Sequence, residues 1–166
     1  PLPQTRFVLG KALELGIPLT LIGEAVFGLC EEYRDHLRGA RLVSNPGCYA
    51  TSVLLPLVPL LREGLIDPKD IVADAKSGAT GAGRTPREDL LYCEVAENFS
   101  AYSPGRTHRH VGEIEAVLLD RTGRKVELTF CPHLLPVKRG ILTALYVKPT
   151  ADLAERKLWA AYMDAY

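Results

Sequence analysis

Val126-Glu127-Leu128-Thr129-Phe130 and Ile141-Leu142-Thr143-Ala144-Leu145-Tyr146-Val147 are β-rich and alternating, which predicts two strands. The loop between them holds Pro132, Pro136 and Gly140. Ile71-Val72-Ala73-Asp74-Ala75 reads as a third strand, and Arg41-Leu42-Val43 as a short fourth. Around these strands lie helical patterns over Thr5–Leu15, Glu31–Arg38 (an exposed helix stopped by Gly39) and Asp152–Tyr166, the last amphipathic. Glu113–Leu119 with its flanks is a further helix, stopped near Gly123. Tyr49–Arg62 is apolar nearly all round and predicts a buried helix, although Pro56 and Pro59 should kink it at about 3 kcal/mol in a regular interior. Strands and helices mix without a strict βαβ rhythm. The expected fold is α+β, with a mixed, largely antiparallel sheet packed against helices.

A chain of 166 residues suits one domain with a real core, and its 47% apolar content is that of an ordinary globular protein. Twenty basic and twenty acidic residues cancel, so nothing in the charge draws it to nucleic acid or an anionic membrane. No apolar run is long enough to span a bilayer, and the first residues lack a signal-peptide pattern. Cys30, Cys48, Cys93 and Cys131 are widely and irregularly spaced, which disfavours a zinc site or a disulfide framework. Four thiols of this kind suit a reducing, cytoplasmic setting, with one a candidate nucleophile and Cys30, Cys93 and Cys131 unpaired and non-catalytic.

Ser44-Asn45-Pro46-Gly47-Cys48-Tyr49-Ala50-Thr51 carries the strongest chemical signal. Its turn delivers Cys48 to the start of the buried helix, where free N–H groups and a partial positive charge favour a thiolate. The competing reading is a small buried residue that begins a helix. Thr107-His108-Arg109-His110-Val111-Gly112-Glu113 could supply an acid/base and an anion clamp, or be only a polar loop before a helix. Lys76-Ser77-Gly78-Ala79-Thr80-Gly81-Ala82-Gly83-Arg84 follows a strand, and its glycines would let backbone approach a phosphate or a flat ring. Its G-x-x-G-x-G spacing is not a dinucleotide fingerprint, and a plain flexible loop fits equally.

Together these stretches resemble the N-acetyl-gamma-glutamyl-phosphate reductase family of arginine biosynthesis. The resemblance runs through N-P-G-C-Y, A-K-S-G-x-x-G-A-G-R and H-R-H-x-x-E-I to the P-x-L-x-P-x-x-R-G-I-L of Pro132–Leu142, in family order. It covers about residues 24–150, with nothing to match over residues 1–22. Ala50 and Gly112 stand where the family usually has proline, and Pro56 sits inside the helix.

The resemblance implies a catalytic domain like that of semialdehyde dehydrogenases of the glyceraldehyde-phosphate-dehydrogenase-like type. It implies that residues 1–166 are a single catalytic and dimerisation domain excised from a two-domain enzyme, inactive without its nucleotide domain. Cys48 is then the nucleophile, and His110 or His108 the acid/base, with His110 favoured because it is nearest the helix start and Glu113 could orient it. Their sulfur-to-nitrogen gap should be on the order of 3–6 Å. Ser77, Gly78, Gly81 and Gly83 would lie beside the nicotinamide, and Asn45, Arg84, Arg109 and Arg139 would bind substrate. The implied cofactor is NADP, bound mainly by a domain absent from this chain, and no metal is expected. The implied reaction reduces N-acetyl-glutamyl 5-phosphate to the semialdehyde through a cysteine thioester, in a homo-oligomer acting on a small molecule. The alternatives are a related acyl-phosphate reductase of lysine biosynthesis and a non-catalytic structural or oligomerisation domain.

Overall fold

A computed structural model describes residues 24–166, so the helix expected over Thr5–Leu15 lies outside the described residues. In chain order the elements are β1 (Val26–Phe27), α1 (Cys30–Leu37), β2 (Val43–Ser44), α2 (Cys48–Arg62) and β3 (Ile71–Gly78). There follow α3 (Tyr92–Val95), β4 (Ser100–Ala101), α4 (His110–Thr122), β5 (Leu128–Leu135), β6 (Ile141–Tyr146) and α5 (Glu155–Ala165). The main sheet has the order β4-β5-β3-β6, and β1 pairs with β2 separately. The sheet is mixed, as expected. β6 runs antiparallel to β3 and β4 antiparallel to β5, while the long central pair, β3 and β5, is parallel from Ile71↔Leu128 to Gly78↔Leu135. A parallel pair needs a crossover, and α4 lies within it.

Alternation decides which face of the sheet is covered. Ile71, Ala73 and Ala75 of β3 and Leu128 and Phe130 of β5 are buried, and they join one apolar cluster with α2 and α4. Helix α2 contributes Ala50, Val53, Leu54, Leu57, Val58 and Leu61, all with no exposure. Helix α4 contributes Val111, Ile114, Val117 and Leu118 and ends at Gly123, whose φ of 67° is the left-handed conformation that glycine adopts without strain.

The prolines do not interrupt α2, which runs as one fifteen-residue helix. Pro59 has no N–H to give to the Leu55 carbonyl. The Tyr166 hydroxyl donates to that carbonyl instead, at 2.7 Å, and the Tyr162 hydroxyl donates to the Pro56 carbonyl at 3.0 Å. Helix α5 therefore docks where proline has freed a backbone acceptor. Among the described residues no helix is long and apolar enough to cross a membrane.

Helix α1 is largely exposed, as expected, with one exception. Its Glu32 is 8% exposed and sits between Arg62 at 2.5 Å and Arg121 at 3.2 Å, tying α1 to the ends of α2 and α4. Tyr33 leaves helical geometry (φ −125°, ψ 20°) and donates to Asp120 at 2.7 Å. A charged residue in a polar run carries no pattern that marks it as buried. Glu32→Ala leaves two arginines without their shared carboxylate and is expected to destabilise the chain by about 3 kcal/mol. Glu24→Ala, which removes a 3.6 Å pair between exposed side chains, should cost less than about 1 kcal/mol. Urea unfolding of the two variants checks the contrast.

Candidate active site

Strand β2 ends at Ser44, whose carbonyl accepts from the Gly28 N–H at 2.8 Å, and the Asn45-Pro46 turn follows. Gly47 is the N-cap of α2, in extended backbone, and makes no side-chain capping bond. Cys48 is therefore the first residue of α2, and it is exposed. With no side chain to cap them, the amides of the first turn are left for a ligand or a thiolate. The expected helix-start placement of Cys48 is met.

Helix α4 starts at His110, within the flank expected before Glu113, and its N-cap is Arg109. The His110 N–H donates to His108 Nδ1 at 3.2 Å, which leaves the proton of neutral His108 on Nε2. The two rings lie 4.8 Å apart. The His110 ring fills the space beside Gly47, where a Cβ would come within 2.5 Å of its Cε1 atom. One turn on, Glu113 is fully buried, and its Oε1 accepts from the Gly47 N–H at 3.1 Å. The sequence reading gave Glu113 the task of orienting His110; this bond shows it holding the residue before Cys48.

Burial, then His108, then Arg109 push the His110 pKa down to about 4. Burial first and Arg109 second also lower that of His108. Both imidazoles are consequently neutral near pH 7. His110 Nδ1 is buried without a hydrogen-bond partner among the described residues.

Sequence reasoning missed an aromatic wall. Tyr49 and His108 pack on Phe130 at 5.3 Å and 5.1 Å, and Tyr102 lies 6.3 Å from Tyr49 and 5.6 Å from His108. The Tyr49 hydroxyl donates to the His133 carbonyl at 3.2 Å. Burial raises the pKa of both tyrosines, and the charge of Cys48 adds to the rise in each. The adjacency of Tyr49 to Cys48 was the available signal. Tyr102 had none, since it reaches the site only through the β4–β5 pairing.

The glycine-rich segment is used largely by the chain itself. Ser77 is buried and, with Gly78, belongs to β3. Backbone N–H groups of Gly78, Ala79 and Thr80 donate to the carbonyls of Gly140, Val137 and Lys138 at 2.9, 2.9 and 3.1 Å. A Cβ on Gly78 would lie 2.7 Å from the Arg139 nitrogen, and one on Gly81 would lie 2.7 Å from Ser77 Oγ. Gly83, with φ of 91°, faces open space. Asn45, Arg84, Arg109 and Arg139 are exposed, Asn45 on the Cys48 turn and Arg109 beside both histidines. All four cysteines are free, and among the described residues no cluster of three or more His, Cys, Asp or Glu could hold a metal.

The buried neutral imidazole links stability to pH. Folded His110 protonates only near pH 4, whereas an unfolded histidine protonates near 6.5. Its contribution is complete above about pH 6.5 and is lost as pH falls toward 4. Wild type should lose about 2 kcal/mol more than His110→Gln between pH 7 and pH 5, measured by urea unfolding.

A family model for the semialdehyde dehydrogenase dimerisation domain matches residues 48–166. An N-acetyl-gamma-glutamyl-phosphate reductase of Desulforapulum autotrophicum is 50% identical over 147 residues, covering 89% of this chain and 42% of that protein. The Rhodospirillum rubrum protein of the same name is 54% identical over 145 residues, covering 85% and 41%. The chain thus spans about two fifths of the length of these curated relatives. Aspartate semialdehyde dehydrogenase II of Vibrio cholerae shares the fold at a TM-score of 0.64 and 14% identity, over 86% of this chain and 49% of that one. The corresponding Francisella tularensis enzyme gives 0.64 and 15%, over 98% and 60%. With most of its length matched from Cys48 onward, the chain belongs to the semialdehyde dehydrogenase dimerisation-domain family.

Proposed function

We propose that this chain is the catalytic and dimerisation part of an N-acetyl-gamma-glutamyl-phosphate reductase, a two-domain enzyme that works through a thioester on Cys48. The observation that carries the reading is the junction of α2 and α4. An exposed cysteine opens one helix, and a buried neutral histidine opens the other against the residue before it. The names of the relatives, at about half identity, supply the substrate class.

Neutral His110 accepts the thiol proton, and the Cys48 thiolate attacks the acyl carbon of the acyl phosphate. A sulfur–carbon bond forms, the carbon–oxygen bond to phosphate breaks, and phosphate leaves with the electron pair. Arg109 beside the histidines, with Arg84, Arg139 and Asn45, is proposed to bind the anionic groups. A histidine that resists protonation is a strong acid once charged, so the His110 imidazolium can return its proton to the carbonyl-derived oxygen after that carbon is reduced.

Reduction requires hydride, which the reduced cofactor, NADPH, supplies when bound. The loop proposed to face the nicotinamide does not fit a dinucleotide cradle. The spaces at Gly78 and Gly81 are closed by Arg139 and Ser77, and only Gly83 looks into open space. NADP is therefore assigned to a domain outside these residues, and none of the steps above is routed through it. A homodimer in a reducing, cytoplasmic compartment completes the proposal. The sheet face opposite the core, with Leu142 and Tyr146 exposed at 69% and 60%, is the surface a second copy would cover.

The chain mixed with N-acetyl-glutamyl 5-phosphate should release one phosphate per chain. It should gain one acyl group on the Cys48 peptide and none on Cys30, Cys93 or Cys131, as read by mass spectrometry. His110→Asn should slow this acylation by about a hundredfold and His108→Asn by less than tenfold. No acylation, or acylation at another cysteine, would overturn the reading; the larger loss in His108→Asn would reverse the roles of the histidines.

A further inference from the structure

We infer that Gly47 and Glu113 are positioning residues through which the first turn of α4 grips the residue before Cys48 and sets the nucleophile against His110. The inference rests on the reading of Cys48 as the nucleophile. Glycine at position 47 invites explanation as a turn residue, but its backbone does not need one. Its φ of −64° and ψ of 146° suit any amino acid. What position 47 requires is room, because a Cβ there would overlap the His110 imidazole.

The second contact comes from the same face of the same helix. His110 and Glu113 stand three residues apart, so their side chains project together from the first turn of α4. One ring lies against the α-carbon of Gly47, and one carboxyl oxygen takes its N–H at 3.1 Å. Glu113 has no exposure and His110 is 5% exposed, so the grip is held inside the core rather than at its rim. A hydrogen bond to a buried side chain is directional and costly to leave unmade. Cys48 is the next residue, and its sulfur inherits the placement of Gly47. Small displacements of a reacting pair carry large rate penalties.

The test reads cysteine reactivity on the whole chain and needs neither cofactor nor substrate. Iodoacetamide labelling at pH 7, resolved by peptide, gives a rate for each cysteine, with exposed Cys30 and Cys93 as internal controls. Glu113→Ala and Gly47→Ala should each slow Cys48 by about tenfold without changing the controls. Glu113→Gln keeps an oxygen acceptor for the Gly47 N–H and should stay within about threefold of wild type. Wild-type Cys48 rates in both alanine variants would overturn the inference, as would a Gln variant as slow as Ala. Should Glu113→Ala unfold, seen as rapid labelling of half-buried Cys131, Gly47→Ala with Glu113→Gln decides by the same criteria. A different result sinks the underlying reading: wild-type Cys48 labelling no faster than Cys30 and Cys93.

Discussion

The contact between the first turns of α2 and α4 is the constraint around which the rest of the domain is arranged. Each turn alone is ordinary, one opening at Cys48 after an N-cap glycine with no side chain and one opening at His110, whose N–H donates to the His108 ring. Together they put a thiol at a helix N-terminus, one residue after a glycine that packs on an imidazole which burial keeps neutral. Neither helix could hold that geometry unless both were anchored along their lengths. The anchoring is apolar, since the buried residues of α2 and α4 share one cluster with the covered face of the sheet.

Polar ties then secure the far ends. Glu32 joins Arg62, at the end of α2, to Arg121, in the last turn of α4. The two helices are thus linked at their first turns through Glu113 and Gly47 and at their last through Glu32. Tyr162 of α5 and Tyr166, which follows it, reach the carbonyls of the proline-bearing stretch of α2 from another side. At the N-terminal end of α2, Cys48 is left exposed.

Much of this was legible in the residues. The apolar run after Gly47 announces a buried helix, and alternation in Val126–Phe130 and Ile141–Val147 announces strands. The parallel pairing of β3 with β5 was not legible, because register between strands so far apart is set by the crossover and not by either strand's own pattern. The buried roles of Glu32 and Glu113 were hidden for a related reason. A glutamate reads as solvated until the partners that satisfy it are brought in, and those partners, Arg62, Arg121 and the Gly47 N–H, come from other helices. Gly78 and Gly81 misled in the opposite direction. They suggest space for a ligand, yet the chain's own Arg139 backbone and Ser77 hydroxyl occupy it. Pro59 could be recognised as a break in the hydrogen-bond ladder, but not the tyrosine more than a hundred residues later that repairs it.

The central claim is that folding drives the His110 ring into the core against Gly47, and nuclear magnetic resonance of the intact chain tests it most directly. Titration of the His110 ring protons should give a pKa near 4, with a nuclear Overhauser contact from the ring to the Gly47 α-protons. A value near 6.5, the ordinary range for a solvated imidazole, with no such contact would contradict the account.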